Sequence, residues 1–364
     1  MRQRIEILAL PGDGIGPEVM SQALRVLHKV ADIAGLALVV HEDLIHGQAW
    51  DTYGTFCRDE TVHQAKNVDA VLVGAVGGEK WDNLVPSGTP EEKDGLMRLR
   101  KELDVFAGIR PARSYIHLKE KTPYRPELLN EVDLIVLREM CGGIMFTFPR
   151  GIESDSKGMK RGFDTAAYDV NEVKRHARFG FELARKRKKH LTSVDKANVM
   201  ESGAFWREIV TKVSLNYPDV HFQNMYADNC SYQLAINPKQ FDVILADNLF
   251  GDILSDQAAA LSGSLGMLAS ASLPDNPSNS PGIYEPVHGS APDIAGKNIA
   301  NPIGMILSLA LMFEFGFSMQ EISEKLHLTV EEVTQTGPLT PDLGGLGTTS
   351  QVTDAILQAL ERNF

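Results

Sequence analysis

The chain has 364 residues, 43% of them hydrophobic, and a formal net charge of −12. That length holds two domain-sized units, and the acidic balance excludes a general nucleic-acid or anionic-membrane surface, which rewards clustered Lys and Arg. Cys57, Cys141 and Cys230 form an odd set without metal-ligand spacing, so free thiols are expected rather than disulfides or zinc. No apolar run reaches the roughly 20 residues that cross a bilayer, and the start MRQRIEILALPGDG reads as a first strand rather than a cleaved leader, so the expected location is cytoplasmic.

Short β-rich runs alternate with longer helical patterns, the mark of an α/β protein with a largely parallel sheet. A strand at 4–10 leads through the turn GDGIG into a helix at 17–34, which has Pro17 at its start and Gly35 past its end. Further strands are expected at 69–73, 134–137, 191–194, 221–226 and 241–246. Helices are expected at 171–188, 203–215, 252–261, 302–315 and 350–362. The basic run at 185–190 closes a helical pattern and is read as a solvated terminus, where cations meet the negative end of the dipole. The Pro-, Gly- and Ser-rich tract at 273–282 is expected to be a loop.

Several motifs carry chemistry. GDGIG places glycines where a backbone approaches a ligand, but it is not GxGxxG, so a tight turn and a nucleotide site both remain open. In DNLFGDILSD, Asp252 and Asp256 stand four apart and face one way on a helix, where a hard dication such as Mg²⁺ or Mn²⁺ relieves their repulsion. The alternative for Asp252 is an ordinary acidic helix start. Asp228, in YADNCSYQL, is a further carboxylate candidate. Arg100, Arg110 and Arg138 offer guanidinium forks suited to carboxylates, or are surface charges. In SVDKANV, Lys196 closes an apolar strand; it is read either as a partly desolvated proton-transfer group or as an ion-pair partner of Asp195. The stretch EPVHGSAPDIAGKNIANP has no apolar period and is expected to be a functional loop entering a helix, with Asp293 positioned to accept hydrogen bonds from a ribose.

Taken together these segments resemble the β-decarboxylating dehydrogenases, the family of isopropylmalate, isocitrate, homoisocitrate and tartrate or malate dehydrogenases. The resemblance runs from GDGIGPEV through GAVGGEKWD, LRKELDVFAGIRPA, SVDKANV, FGDILSD and HGSAPDIAG to GTTSQVTDAI. It implies the family's α/β fold: two α/β domains with a central mixed sheet, distinct from a GxGxxG Rossmann fold. Residues 1–105 and 263–364 would form a cofactor-binding domain, and 106–262 an inserted domain for substrate, metal and dimerisation. It implies substrate-carboxylate arginines at Arg100, Arg110 and Arg138, metal carboxylates at Asp228, Asp252 and Asp256, and a catalytic lysine at Lys196. Lys196 and Asp228 would enter the site from the second subunit of a homodimer. NAD would be held by Ile15, Gly77, Gly78, Asn198, Glu285, His288, Gly289, Ser290, Ala291, Asp293, Ile294 and Asn301.

Within the family, the isocitrate type places a serine before the first arginine, whereas this chain has Leu96 and Met97, an apolar wall that suits an isopropyl branch. Asp293-Ile294 stands where NADP-using members carry Lys-Tyr, which favours NAD and a free ribose hydroxyl. The implied reaction is oxidation of a branched 2-hydroxy diacid followed by loss of CO₂, with Lys196 assisting removal of the hydroxyl proton. Another 3-substituted malate, tartrate or D-malate is the alternative substrate. The pattern breaks at Met145, where the family carries a tyrosine that protonates the enolate carbon, since a thioether donates no proton. The break opens two readings: Tyr232, from the partner, supplies the missing phenol, or the chain is a catalytically weakened regulatory paralogue. Glu79, in place of a family proline, and the acidic stretch at 91–94 are smaller departures.

Overall fold

The computed structural model describes residues 4–82, 84–85 and 88–364. In chain order the strands are β1 (Arg4–Gly12), β2 (Ala37–Glu42), β3 (Ala70–Ala75), β4 (Ala107–Arg113), β5 (Asp133–Glu139), β6 (Gly151–Ser154), β7 (Lys160–Phe163), β8 (His190–Asp195), β9 (His221–Tyr226), β10 (Val243–Ala246), β11 (Ala269–Leu273) and β12 (Gly282–Pro286). The helices are α1 (Gly16–Ala34), α2 (His46–Tyr53), α3 (Asp59–Lys66), α4 (Pro90–Lys93), α5 (Gly95–Glu102), α6 (Val170–Arg185), α7 (Glu201–Ser214), α8 (Ala227–Ile236), α9 (Asn248–Ala259), α10 (Ile303–Leu311), α11 (Gln320–Thr336) and α12 (Thr349–Asn363). Among the described residues, no helix is long and apolar enough to cross a membrane.

Ten strands make one mixed sheet in the order β2-β1-β3-β12-β11-β4-β5-β10-β8-β9, and β6 pairs with β7 as a separate exposed ribbon. Pairing is parallel from β2 to β12 and from β5 to β9. Three antiparallel pairings through β11 and β4 join the two parallel runs. Strands from both chain ends therefore occupy one side of this seam, and strands from the middle of the chain the other. Alternation along β1 explains how the sheet is covered. Leu8 and Leu10 pack with Leu96 and Leu99 of α5, while Ile7 and Ala9 pack with α1 and with the apolar α10 and α12.

Each expected strand and helix overlaps an observed one, with ends that differ by up to four residues. Helix α9 starts at Asn248, because Asp247 caps it by accepting a hydrogen bond from the Phe250 N–H at 2.7 Å. The tract at 273–282 is the β11–β12 connection, as expected. The basic run differs from its expectation. Helix α6 stops at Arg185, and Arg187 is drawn inward to bond Asp133 (2.9 Å) and Asp242 (2.8 Å), clamping the starts of β5 and β10. All three cysteines are free and buried.

Candidate active site

The loops that follow β1, β3 and β12 lie at one end of their parallel run, the usual ligand-binding end of an open α/β sheet. They are stitched together by backbone contact. The Ile15 N–H donates to the Ser290 carbonyl at 2.8 Å, and a Cβ on Gly14 (φ +56°) would fall 1.9 Å from that oxygen, so only glycine is accommodated. Buried Asp13, not singled out from the sequence, is the organiser. Its carboxylate accepts from His46 Nδ1 (2.9 Å) and from the N–H groups of Gly47 (3.2 Å), Gln48 (3.0 Å) and Gly77 (2.9 Å). Burial pulls the His46 pKa down, but the hydrogen bond the ring donates to Asp13 and the nearby carboxylates outweigh that, and the net direction is up.

In the loop after β12, His288 bonds the Gly289 carbonyl through Nδ1, while its Nε2 is buried without a protein partner. Open space surrounds the Gly289 Cα. Asp293 is exposed, and Ala291 and Ile294 are half-buried against the core. Gly78 packs on Trp81. Asn301 is different: it is buried, its amide donates to Asp342 at 3.0 Å, and its oxygen accepts from the Ile303 N–H. Its polar atoms thus serve the start of α10. The other residues form a cradle with an unpartnered nitrogen, which suits a dinucleotide.

Beside this cradle sit the three arginines. Arg100, at the end of α5, bonds Glu285 of β12 at 2.6 Å. Arg110 of β4 reaches Asp252 at 3.0 Å, Asp256 at 3.8 Å and Ser255 at 2.7 Å, so Asp252 and Asp256 do share one face of α9. Arg138 of β5 bonds the same Asp252 oxygen and holds its Nη2 3.3 Å from the Met145 sulfur. All three guanidiniums are largely buried. Burial pulls the pKa of Arg138 down to about 9, helped by the positive charges of Arg110 and Arg100, and burial with Arg100 also lowers that of Arg110. Arg100 goes the other way: burial opposes its charge, but Glu285 prevails and raises the pKa. The Nε atoms of Arg100 and Arg110 are buried without a partner.

Lys196, in the turn after β8, bonds Asp228 at the start of α8 at 2.6 Å. Asp195 is instead bound by Arg207 at 2.8 Å, which removes it as the lysine's partner. The hydrogen bond from Lys196 lowers the pKa of Asp228. This second cluster is open: Asp228 is 70% exposed and Tyr232 61%, and Asn198 is exposed as well. Among the described residues no three acidic, His or Cys side chains gather as a metal site, so within one chain Asp228 does not join Asp252 and Asp256. Leu96 is 5% exposed inside the core, and Met97 is half-buried beside it.

The family model described as isocitrate/isopropylmalate dehydrogenase matches residues 6–356. A protein of Aquifex aeolicus called 3-isopropylmalate dehydrogenase is 48% identical, with 99% of this chain and 98% of that one covered. One of the same name from Xanthomonas euvesicatoria is 47% identical over 98% and 99% of the two chains. Among solved structures, isocitrate dehydrogenase from Methylococcus capsulatus superposes with a TM-score of 0.86 at 30% identity, covering 99% of each chain. The β-decarboxylating dehydrogenase from Thermococcus kodakarensis gives 0.78 at 32%, covering 98% and 96%. The chain belongs to the isocitrate/isopropylmalate dehydrogenase family. Its similarity is greater to the relatives named for isopropylmalate than to the solved isocitrate enzyme.

Proposed function

We propose that the chain is an NAD-dependent, Mg²⁺- or Mn²⁺-dependent enzyme that converts 3-isopropylmalate to 4-methyl-2-oxopentanoate and CO₂, a step of leucine biosynthesis. The observation that carries the reading is the charge balance of the buried cluster. Its three arginines are matched by Asp252, Asp256 and Glu285. A dication held by the two aspartates leaves two positive charges over, the complement of a diacid. Oxygen donors on one helix face suit such an ion, and the partly buried Asp256, whose pKa burial raises, gains a counter-charge from it.

Asp252 and Asp256 would hold a dication that would supply Lewis-acid polarisation of the substrate's C2 oxygen, and the loops after β1, β3 and β12 would hold the nicotinamide cofactor that would supply the hydride acceptor. Arg100, Arg110 and Arg138 hold the two carboxylates by charge-assisted hydrogen bonds. Lys196 takes the C2 hydroxyl proton. The bond from C3 to its carboxylate then breaks, CO₂ leaves, and the electron pair remaining on C3 takes up a proton. Met97, supported from beneath by Leu96, faces the isopropyl branch. Residues 1–105 with 263–364 hold the cofactor, and 106–262 form the inserted domain. The exposure of Lys196, Asp228 and Tyr232 supports a homodimer in which each chain lends this trio to its partner's arginine cluster.

The test is NADH formation from 3-isopropylmalate, tartrate, malate and isocitrate, each with Mn²⁺ and with EDTA. 3-Isopropylmalate with Mn²⁺ is expected to be fastest, EDTA to abolish the signal, and Asp252→Asn to demand more Mn²⁺. Full activity in excess EDTA would refute the metal role. Faster turnover of tartrate or malate reassigns the substrate, and no NADH from any of the four favours a weakened regulatory paralogue.

A further inference from the structure

Asn248, the first residue of α9, is 1% exposed and touches three parts of the site at once. Its side-chain oxygen accepts from Arg138 Nε at 3.1 Å and from Nη2 at 2.7 Å. Its amide nitrogen donates to the Gly142 carbonyl at 3.0 Å. Its backbone N–H donates at 2.9 Å to the Tyr168 hydroxyl. A guanidinium has no acceptor, so the amide atom facing Arg138 must be the oxygen, and the amide's orientation follows from the network. Tyr168 is itself fixed, packed edge-on against Trp206 at 5.4 Å with its hydroxyl lodged where a Gly143 side chain would begin.

We infer that Asn248 is the positioning residue for Arg138: it aims the guanidinium at a substrate carboxylate without neutralising it. An aspartate here would hold the same edge of the fork but cancel the charge that attracts the substrate. A neutral amide supplies two acceptor bonds and leaves the charge in place. Because the same amide grips Gly142, it also sets the turn Gly143–Met145, whose Met145 sulfur stands against the same Nη2 of Arg138. One residue thus fixes both the cation and the segment facing it. The inference rests on the proposed carboxylate-binding role of Arg138.

The experiment is a double-mutant cycle on the full-length enzyme, with 3-isopropylmalate and NAD⁺ varied separately. Asn248→Ala is expected to raise KM for 3-isopropylmalate about ten- to a hundredfold, with KM for NAD⁺ changed less than about twofold. Asn248→Asp, nearly isosteric although it sets an oxygen against the Gly142 carbonyl that the amide NH₂ bonds, is expected to raise the same KM by cancelling charge. In an Arg138→Lys background, which keeps the charge but has no fork to align, Asn248→Ala should add less than about threefold. An Arg138→Lys enzyme with unchanged KM sinks the site assignment and this inference with it. If Arg138→Lys raises KM but the Asn248→Ala effect multiplies upon it unchanged, or if Asn248 variants lose only thermal stability, the inference alone falls.

Discussion

The two charged clusters of this molecule are built in opposite ways. Arg110 and Arg138 are nearly inaccessible, held by Asp252, Ser255 and Asn248 from a single helix, and the charge of Arg110 adds to the burial that lowers the pKa of Arg138. Among the described residues Lys196 and Asp228 bond only one another of the charged groups, with side chains 26% and 70% exposed. A buried cluster of like charges is stable only with its counter-ions in place, so it must be completed by what binds. An exposed ion pair contributes little to folding, so its chemistry resides in whatever surface it meets. Under the proposed function the contrast has a simple meaning: one chain would hold the carboxylate-binding arginines and lend the Lys196–Asp228 pair to a partner.

The largest expected effect tests whether that lent surface carries a proton donor. Tyr232 lies four residues after Asp228 on α8, on the same exposed face. Met145 occupies the site beside Arg138 with a sulfur that donates nothing. If the partner's copy of this phenol protonates C3, Tyr232→Phe lowers turnover by about 10²–10⁴-fold with substrate KM nearly unchanged, and Met145→Tyr restores part of the loss. Steady-state kinetics on the three enzymes decide it. A Tyr232→Phe enzyme as fast as the parent means that solvent supplies the proton.

The same contrast separates what was legible in the sequence from what was not. Strands and helices with strong apolar periods, such as β1, α1 and α12, were readable because one periodic pattern decides which face is buried. Strands β4 and β12 were missed. AGIRPAR carries Pro111 and two arginines, and GIYEP is five residues with a glutamate and a proline. These run against strand propensity because Arg110 and Glu285 serve the site, and the surrounding sheet overrides the local signal. The arginines and the Asp252–Asp256 face were visible as residue types at helical spacing. Asp13, Asn248 and Tyr168 were not, since each acts through partners distant in the chain, between 33 and 110 positions away.

A middle-sized effect concerns the exposed side of the cofactor cradle. If the proposed cradle holds the cofactor's ribose near Asp293, this carboxylate would disfavour a 2′-phosphate by charge repulsion, and its exposure would let salt and water screen that repulsion. NAD⁺ is therefore expected to be preferred over NADP⁺ by about tenfold or more at low ionic strength, shrinking as salt rises, and Asp293→Asn should remove most of the gap. The ratio of kcat/KM for the two cofactors checks it. Equal values in the parent enzyme would place the discrimination elsewhere.

The smallest effect lies behind the buried cluster and reads its dryness directly. Glu139 follows Arg138 at the end of β5 and is 1% exposed. Burial pushes its pKa up to about 7, although the N–H groups of Cys141 and Gly142 bond its oxygens and favour the charged form; Glu172 adds to the rise and Arg175 opposes it. An unfolded glutamate titrates near 4.3, so the folded protein binds this proton more tightly than the unfolded chain. Stability from this group is complete below the unfolded pKa and is lost as pH climbs through about 7. Asp247, raised to about 6 chiefly by burial, acts in the same direction. Thermal melts from pH 5 to pH 8 should therefore fall about 2–4 °C more steeply in the parent than in Glu139→Gln, which cannot ionise. The glutamine has its own cost, because its NH₂ meets a backbone N–H that the carboxyl accepted. That cost does not change with pH, so the slope and not the absolute Tm is the readout. Parallel slopes would mean that Glu139 is ionised throughout and that water or a counter-charge reaches behind Arg138.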